Sequence, residues 1–494
     1  MSTLLGRLFA VRSVESIVKE LKEAPQLNRV LGVGALTAIG LGSTIGTGIF
    51  ILTGTVAANH AGPALTLSLL IAAIGSAFAA ICYAEFAAMI PVSGSAYTYA
   101  YATLGESVAW IIGWNLSLEY VMSASAVAVG WSEYAMNFLG RWGVTLPAAL
   151  THAPLGLIST PLAGGGVDKH LGLTGAIINM PAVFIILLLG WICYIGVRGS
   201  SLTNSLMVVI KVAVIVVFIF AGLSFVDTAN WHPYLPANNG TFGEFGWSGV
   251  LQGAGIIFFS YVGFDAASCT AREARNPQRD VPLGILAALV ISSVLYMAMA
   301  AVMTGMVPYQ QLNVGAPVSV ALDAHPQLRW LSGFVELGAI VGMTSVILMS
   351  LLGQPRILLS MAEDGLLPPS VKKVHPVYRT PHVATAWTVI FGAAIAGLFP
   401  LDVLGELISI GILLAFTVVC IGVLVLRYTK PDAMRPFRVP FAPVTCVLGA
   451  AICFAMTYFL PTDTWWRLLW WSLLGLSIYA FYGYRHSRLR AEGH

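Results

Sequence analysis

The sequence has 494 residues, of which 57% are hydrophobic and only 10% are charged. Soluble domains carry about 25% charged residues, so this composition and a mean hydropathy of +0.83 exclude an ordinary soluble protein. The net charge of +3 says little until its distribution along the chain is known. The composition predicts a polytopic membrane protein.

Twelve apolar stretches are long enough to cross a bilayer, which takes about 20 mostly apolar residues per helix. They predict an all-α integral membrane protein with twelve transmembrane helices at 30–56, 64–90, 107–136, 174–197, 201–225, 246–269, 282–306, 328–357, 382–400, 402–427, 440–460 and 464–484. Residues 1–29 precede the first span and lack the apolar region of a signal peptide. Residues 485–494 form a short tail.

The distribution of lysine and arginine predicts the orientation of these spans. With the N-terminus in the cytoplasm, twenty of the 25 basic residues fall on the cytoplasmic side and four on the external side. Cytoplasmic loops carry the excess of basic residues in membrane proteins. We therefore expect segments 1–29 and 485–494 to be cytoplasmic and the spans to cross the plasma (cell inner) membrane.

Two of the predicted spans contain residues that disfavour a continuous helix. The first span includes GSTIGTG at 42–48, and the sixth includes FFSYVGFD at 258–265. Interrupted spans at matching positions indicate a transporter built from inverted repeats. The repeats would cover 30–225 and 246–427, five helices each, with 440–484 appended. A close helix-packing face of the GxxxG type is the alternative explanation for the first span.

Unwound helices expose backbone amides and carbonyls at membrane depth, which is tolerated where they line a cavity. Amides at the start of the second helical half attract a carboxylate, and carbonyls suit an ammonium group. An α-amino acid carries both charges. The expected carboxylate ligands are the amides of Gly46, Thr47 and Gly48, and the expected ammonium ligands are carbonyls near Ser43, Thr44, Phe259 and Ser260.

Charged residues inside the spans need a reason, because each costs about 2.5–3.5 kcal/mol at the bilayer centre. Lys211 lies in span 5, Glu119 in span 3 and Asp265 in span 6. For Glu119 two roles stay open, a structural pair or proton coupling. For Lys211 they are a structural role, in which the lysine snorkels or pairs with a carboxylate, or proton coupling. All nine histidines lie outside the spans or at their ends, so Lys211, Glu119 and Asp265 are the candidates for proton coupling. Structural roles are expected for Glu85, Glu133 and Glu336.

Three stretches resemble a known transporter family. IGLGSTIGTGIFILTG at 39–54 resembles the first-helix motif of the amino acid–polyamine–organocation (APC) transporters. FFSYVGFDAASCTAREARNPQRDVP at 258–282 and GQPRILLSMAEDGLLPP at 353–369 are similar to the cationic amino acid transporter branch of that superfamily. The resemblance extends from about residue 29 to 485.

The resemblance implies a LeuT-like 5+5 inverted repeat with unwound helices 1 and 6, plus helices 11 and 12, working by alternating access. Lys211 falls where proton-coupled members replace a sodium ion with lysine, which implies proton symport. Thr47 and Gly48 would then meet the substrate carboxylate, and carbonyls near Thr44, Phe259 and Val262 its amino group. The remaining implied site residues are Phe259 as an aromatic gate, Glu119, Asp265, Met343 and Ser345.

Two departures from the family pattern bear on the substrate. Ser43 and Thr44 stand where apolar residues are common, and Arg272 replaces an acid beside Glu273. The predicted function is a proton-coupled amino acid importer, with arginine, lysine or ornithine as the expected substrates. A broad or neutral amino acid symporter and an amino acid exchanger are the alternatives within transport.

Other classes of function have less support in the sequence. A membrane enzyme is not expected, because no known catalytic motif lies at membrane depth, and a nutrient sensor would usually add a soluble domain. The six cysteines show neither a metal-ligand nor a disulfide pattern, so we expect no metal and no cofactor. Amino acids, protons and the lipid bilayer are the expected partners, and nucleic acid is not. Whether a small membrane protein or a sterol binds stays open.

Overall fold

The computed structural model describes most of the chain between residues 30 and 489. The described residues are 11–12, 30–90, 95–162, 166–196 and 201–489. Most of the predicted cytoplasmic segment 1–29 and residues 490–494 of the predicted tail lie outside them.

Helices dominate the described residues. In the first half they are α1 (Val33–Thr44), α2 (Thr53–Val56), α3 (Leu65–Met89), α4 (Ser95–Thr103), α5 (Glu106–Arg141), α6 (Met180–Ile195) and α7 (Ser201–Leu223). In the second half they are α8 (Gly246–Ile257), α9 (Ala266–Cys269), α10 (Pro277–Met306), α11 (Pro317–Asp323), α12 (Arg329–Glu363), α13 (His382–Leu398), α14 (Leu401–Thr429), α15 (Ala442–Tyr458), α16 (Thr462–Ile478) and α17 (Tyr484–His486).

Short turns of other helical types join these helices. Turns of π-helix lie at Gly48–Leu52, Ala57–Ala61 and Tyr479–Gly483. Turns of 3₁₀-helix lie at Gly62–Ala64, Ala148–Leu150, Thr228–Trp231, Phe258–Tyr261, Ala271–Glu273, Tyr309–Leu312 and Pro326–Leu328.

Every one of the twelve predicted spans contains helix in the structure. Within the described residues, six helical stretches are long and apolar enough to cross a membrane, or seven if a bent pair counts as one span. The six are Gly48–Met89, Ser205–Leu223, Gly246–Ser268, Pro277–Met306, Pro326–Glu363 and Leu401–Thr429, and the bent pair is Ala442–Tyr458 with Thr462–His486. The chain is therefore a mostly helical protein with several candidate spans, and the count of twelve stays a prediction.

The prediction of an all-α protein is wrong in the long loop 137–173. There the strands β1 (Leu155–Leu162) and β2 (Gly166–Leu173) form a two-stranded antiparallel sheet, with Leu155 opposite Leu173. Both strands include β-branched residues, which favour extended backbone, but Gly and Pro in this loop obscure the pattern that would predict a hairpin.

Two groups of helices account for much of the packing. In the first group, α10 packs against α1 and α3, and α3 packs against α8. In the second group, α12 packs against α5, and α13 packs against α5 and α6. The two groups meet through α1, which also contacts α7 and α12. Both interrupted helical segments, α1–α2 and α8–α9, belong to the first group.

Candidate functional site

The first interruption lies directly after α1. The helix ends at Thr44, and Ile45 has extended backbone with φ −78° and ψ 99°. Helical structure resumes at Gly48 as a π-helical turn. The Thr44 hydroxyl donates to the Gly40 carbonyl at 2.8 Å, which satisfies it within its own helix. The glycine-rich stretch therefore interrupts the helix where the sequence predicts an interruption.

The second interruption follows α8. The chain passes through the 3₁₀ turn Phe258–Tyr261 into extended backbone at Val262, with φ −63° and ψ 133°. Gly263 then adopts φ +114°, a conformation that side chains with a Cβ rarely reach. Helix α9 begins three residues later at Ala266.

The two interruptions touch each other. A Cβ added to Gly48 would lie 2.6 Å from the Cα of Ser260, and one added to Gly263 would lie 2.7 Å from the carbonyl carbon of Ser43. Among the described residues, the buried hydroxyls of Ser43 and Ser260 have no hydrogen-bond partner. Buried polar groups are normally bonded, so two unpartnered hydroxyls where two unwound segments meet indicate a place for a polar ligand.

Lys211 on α7 reaches the first interruption from the side. Its fully buried ammonium group donates to the carbonyls of Gly42 at 2.6 Å and Ile45 at 2.9 Å, and to the Ser345 hydroxyl at 3.1 Å. All three partners are neutral oxygens, and the described residues provide no carboxylate for Lys211. The pair with a carboxylate, one form of the structural role left open by the sequence, is therefore absent from the described residues.

The carbonyls expected to hold the amino group already have partners. Tyr296 on α10 donates its hydroxyl to the Thr44 carbonyl at 3.0 Å, and the Phe259 carbonyl accepts from the amide of Val262 at 3.1 Å. A carbonyl oxygen has two lone pairs, so each can accept one further bond. Tyr134 similarly donates to the Phe50 carbonyl at 2.8 Å.

A cavity of about 1000 Å³ opens beside the two interruptions. The structure places four of the predicted site residues in its wall: Ser43, Glu119, Val262 and Asp265. Glu119 and Asp265 are 4% and 1% exposed, and one carboxylate oxygen of Glu119 has no hydrogen-bond partner among the described residues. The cavity therefore brings two buried carboxyl groups next to the interrupted segments.

The other predicted site residues lie behind this wall. Thr47 is fully buried and donates its hydroxyl to the sulfur of Met343 at 3.5 Å. Phe259 is 5% exposed, so it is packed rather than open to the cavity. The predicted site residues that do not line the cavity are Thr44, Gly46, Thr47, Gly48, Lys211, Phe259, Ser260, Met343 and Ser345.

The carboxyl groups expected to be structural have protein partners in two cases. Glu336 accepts from Arg141 at 2.8 Å and from Asn137 at 2.6 Å. Glu85 pairs with Arg427 and Arg435 and accepts from the amide of Val439 at 2.6 Å. Glu133 instead packs against Gly315. Among the described residues, no group of three His, Cys, Asp or Glu side chains could hold a metal ion.

Sequence reasoning missed Tyr296 and Tyr134. A tyrosine in an apolar helix usually fills the core, and only the fold shows that each hydroxyl meets a carbonyl in or beside the interruption. The available signal was the phenolic hydroxyl itself, which needs a partner when buried.

Comparisons with known proteins agree with this architecture. A family model described as amino acid permease matches residues 31–479. The chain is 43% identical to a methylthioribose transporter and 41% identical to the branched-chain amino acid permease BcaP, both of Bacillus subtilis. Each match covers 98% of this chain and 100% or 99% of the relative. It is also 38% identical to the vacuolar cationic amino acid transporter 4 of Arabidopsis thaliana, over 88% of this chain and 68% of the relative. The chain therefore belongs to the amino acid permease family of the APC superfamily, a family of transporters rather than enzymes.

Proposed function

We propose that the chain is a proton-coupled amino acid importer that works by alternating access. The observation that carries this proposal is the contact between the two interrupted helical segments, with unpartnered Ser43 and Ser260 hydroxyls between them. Backbone amides at the start of a helix attract a carboxylate, and free carbonyl lone pairs attract an ammonium group. One ligand with both charges a few ångströms apart fits this junction.

The proposed architecture is the LeuT-like one, with inverted repeats at 30–225 and 246–427, spans 11 and 12 at 440–484, and both termini in the cytoplasm of the plasma membrane. Helix in all twelve predicted spans and interruptions in the first and sixth support it. Discontinuous helices at the repeat interface are the usual position of a substrate site in transporters of this kind.

Proton coupling is assigned to Lys211. Its ammonium group is surrounded by three neutral oxygens, two of which belong to the interrupted segment itself. Loss of the proton would remove the charge that holds Gly42 and Ile45 together, so the conformation of α1 would respond to protonation. This link between protonation and the site is what a symporter needs. An amino acid exchanger, which needs no such link, is the weaker alternative.

Different observations support a neutral branched side chain and a cationic side chain for the substrate. Met343 and Phe259 put apolar surface behind the junction, and the BcaP relative is named a branched-chain amino acid permease. Glu119 and Asp265 put two carboxyl groups in the adjacent cavity wall, which favours a cationic side chain and agrees with the Arabidopsis relative's name. Met343 contacts Thr47 in the first interruption and Phe259 lies in the second, so we favour a neutral branched substrate and keep arginine, lysine or ornithine as the second candidate.

Competition in proteoliposomes separates these candidates. The purified protein is reconstituted, and uptake of labelled leucine is measured with an excess of unlabelled isoleucine, arginine or methylthioribose. The proposal expects isoleucine to compete and the other two to compete weakly. Strong competition by arginine would move the substrate to the cationic class, and transport of methylthioribose alone would contradict amino acid transport.

A further inference from the structure

The cavity beside the interruptions continues to a basic mouth. The exposed Tyr378 and Arg379 and the half-buried Arg356 line this end, whereas Glu119 and Asp265 lie at the buried end. Neither guanidinium group has a hydrogen-bond or ion-pair partner among the residues that the structure describes. Two unpaired guanidinium groups therefore face one cavity.

The backbone at Arg379 is strained. Arg379 has φ +55°, in the left-handed region that few residues other than glycine adopt. Such strain persists where the surroundings enforce it, and it often marks functional positions. Arg379, which lines the cavity, is a strained position of this kind.

Hydrogen bonds within residues 375–380 enforce this conformation. The amide of Arg379 donates to the His375 carbonyl at 2.9 Å, and the amide of His375 donates to the Thr380 carbonyl at 2.8 Å. The amides of Val377 and Tyr378 both donate to Nδ1 of His375 at 3.2 Å. The loop is closed on itself, so the backbone at Arg379 is held in place.

The same loop is attached to the helices around the cavity. The Thr380 hydroxyl donates to the carbonyl of Tyr194 at the end of α6, at 2.8 Å. The rings of His375 and Tyr378 stack with centroids 4.7 Å apart. Arg356 comes from α12, a different element, so two separate parts of the fold bring a guanidinium group to one mouth.

We propose that Arg356 and Arg379 form a second, weaker binding site for the carboxylate of the transported amino acid, at the mouth of the cavity. Guanidinium groups bind carboxylates through charge-assisted, two-pronged hydrogen bonds. Glu273 lines the same cavity and offers the opposite charge to the ammonium group. The proposal rests on the proposed function, because its ligand is the amino acid that passes between the junction and solvent.

Equilibrium dialysis of the purified full-length protein tests this site with two labelled probes. Leucine is a complete amino acid, and 4-methylpentanoate has the same carbon skeleton and carboxylate without the amino group. The Gly48→Ala background weakens leucine binding at the junction, so the binding that remains in this background and depends on Arg356 and Arg379 reports the mouth. In that background we expect leucine to bind with one equivalent per chain.

Matched variants then identify the residues responsible. Arg356→Gln with Arg379→Gln should weaken this leucine binding at least about tenfold, as expected for lost bonds to a charged group. Lys372→Gln with Lys373→Gln removes two charges from the same exposed loop, away from the cavity lining, and should leave it unchanged. With Gly48 intact, the arginine variant should keep the junction's leucine binding, which shows that it folds.

Three results would overturn the proposal. The first is no leucine binding in the Gly48→Ala background, and the second is that the lysine variant weakens leucine binding as much as the arginine variant does. The third is binding of 4-methylpentanoate that depends on Arg356 and Arg379, without binding of leucine. The last would make the mouth a site for free carboxylates. Failure of the proposed function looks different. In the intact protein, Gly48→Ala would then remove no leucine binding. Leucine binding that depends on Arg356 and Arg379 could still be measured.

Discussion

Gly48 is the residue at which the two interrupted segments come closest. A methyl group there would meet both the backbone and the side chain of Ser260, and backbone cannot yield as a flexible side chain does. We expect Gly48→Ala to lower amino acid uptake at least about tenfold, since overpacking costs about 1–3 kcal/mol. Uptake by reconstituted protein measures this.

The chain provides a matched control at Gly34. This glycine lies in α1, and an added Cβ would meet nothing within 4 Å. Gly34→Ala should therefore keep uptake near that of the unmodified protein. Equal losses in the two variants would mean that the contact at Gly48 has no special role.

Lys211→Ala should uncouple amino acid transport from the proton gradient. Lys211→Ala removes the donor that bonds Gly42 and Ile45, so uptake should no longer respond to a proton gradient. Exchange of internal for external amino acid should remain, because the proposed carboxylate and ammonium ligands of the junction are backbone groups. Retained stimulation by the gradient would remove Lys211 from the coupling role.

Tyr296→Phe tests whether the Tyr296 hydroxyl holds the Thr44 carbonyl in position to bind the substrate. Tyr296→Phe deletes one hydroxyl bond worth about 1 kcal/mol, and we expect KM for uptake to rise about fivefold with little change in kcat. Tyr234→Phe is the control, because its hydroxyl bonds the Thr66 hydroxyl in an exposed position, outside both interruptions. A kcat loss without a KM change would contradict a positioning role.

At the scale of helices, the pairing of Arg141 with Glu336 joins the ends of α5 and α12. Glu336 is fully buried, while the Arg141 side chain is 30% exposed. Removing the partner of a buried carboxylate is costly, and the exposure of Arg141 reduces that cost to about 2 kcal/mol. Thermal unfolding in detergent should show a lower Tm for Arg141→Ala.

Arg329 provides the comparison for that change. It is a cation near the start of α12, and among the described residues its guanidinium donates only to the backbone carbonyl of Asp323, in an exposed position. Arg329→Ala should leave Tm nearly unchanged. A Tm for Arg141→Ala equal to that of Arg329→Ala would show that the pairing with Glu336 does not stabilise the helix pair.

The sequence predicts helices well here because long apolar runs leave few alternatives in a membrane. It also locates both interruptions, since GSTIGTG and SYVGFD concentrate residues that disfavour a helix. It misses the β1–β2 hairpin, whose short strands lie in a loop rich in Gly and Pro. Pairing across a hairpin depends on contacts that no apolar run reveals.

The site is less predictable than the helices. Lys211 is recognisable as a charge that needs a reason, but its three oxygen partners come from residues far away in the chain. Likewise, the sequence groups Ser43 with Gly48, whereas the structure places Ser43 in the cavity wall and Gly48 behind it. Those differences depend on how the two interrupted segments pack against each other, which sequence spacing alone does not determine.

At the scale of the whole molecule, residues of both groups of helices line the cavity, and the interrupted segments belong to the first group. Movement of one group against the other would open the junction to one side and close it to the other. The cavity already reaches solvent at Tyr378 and Arg379, in a loop that the charge distribution assigns to the cytoplasm. Under the proposed orientation, this opening of the cavity faces the cytoplasm.

The most direct test of the account is leucine accumulation in proteoliposomes with and without an inward proton gradient. Accumulation above equilibrium with the gradient, and its loss when an ionophore collapses the gradient, is the predicted result. Uptake that ignores the gradient, or that occurs only against internal amino acid, would contradict proton symport and make the protein an exchanger.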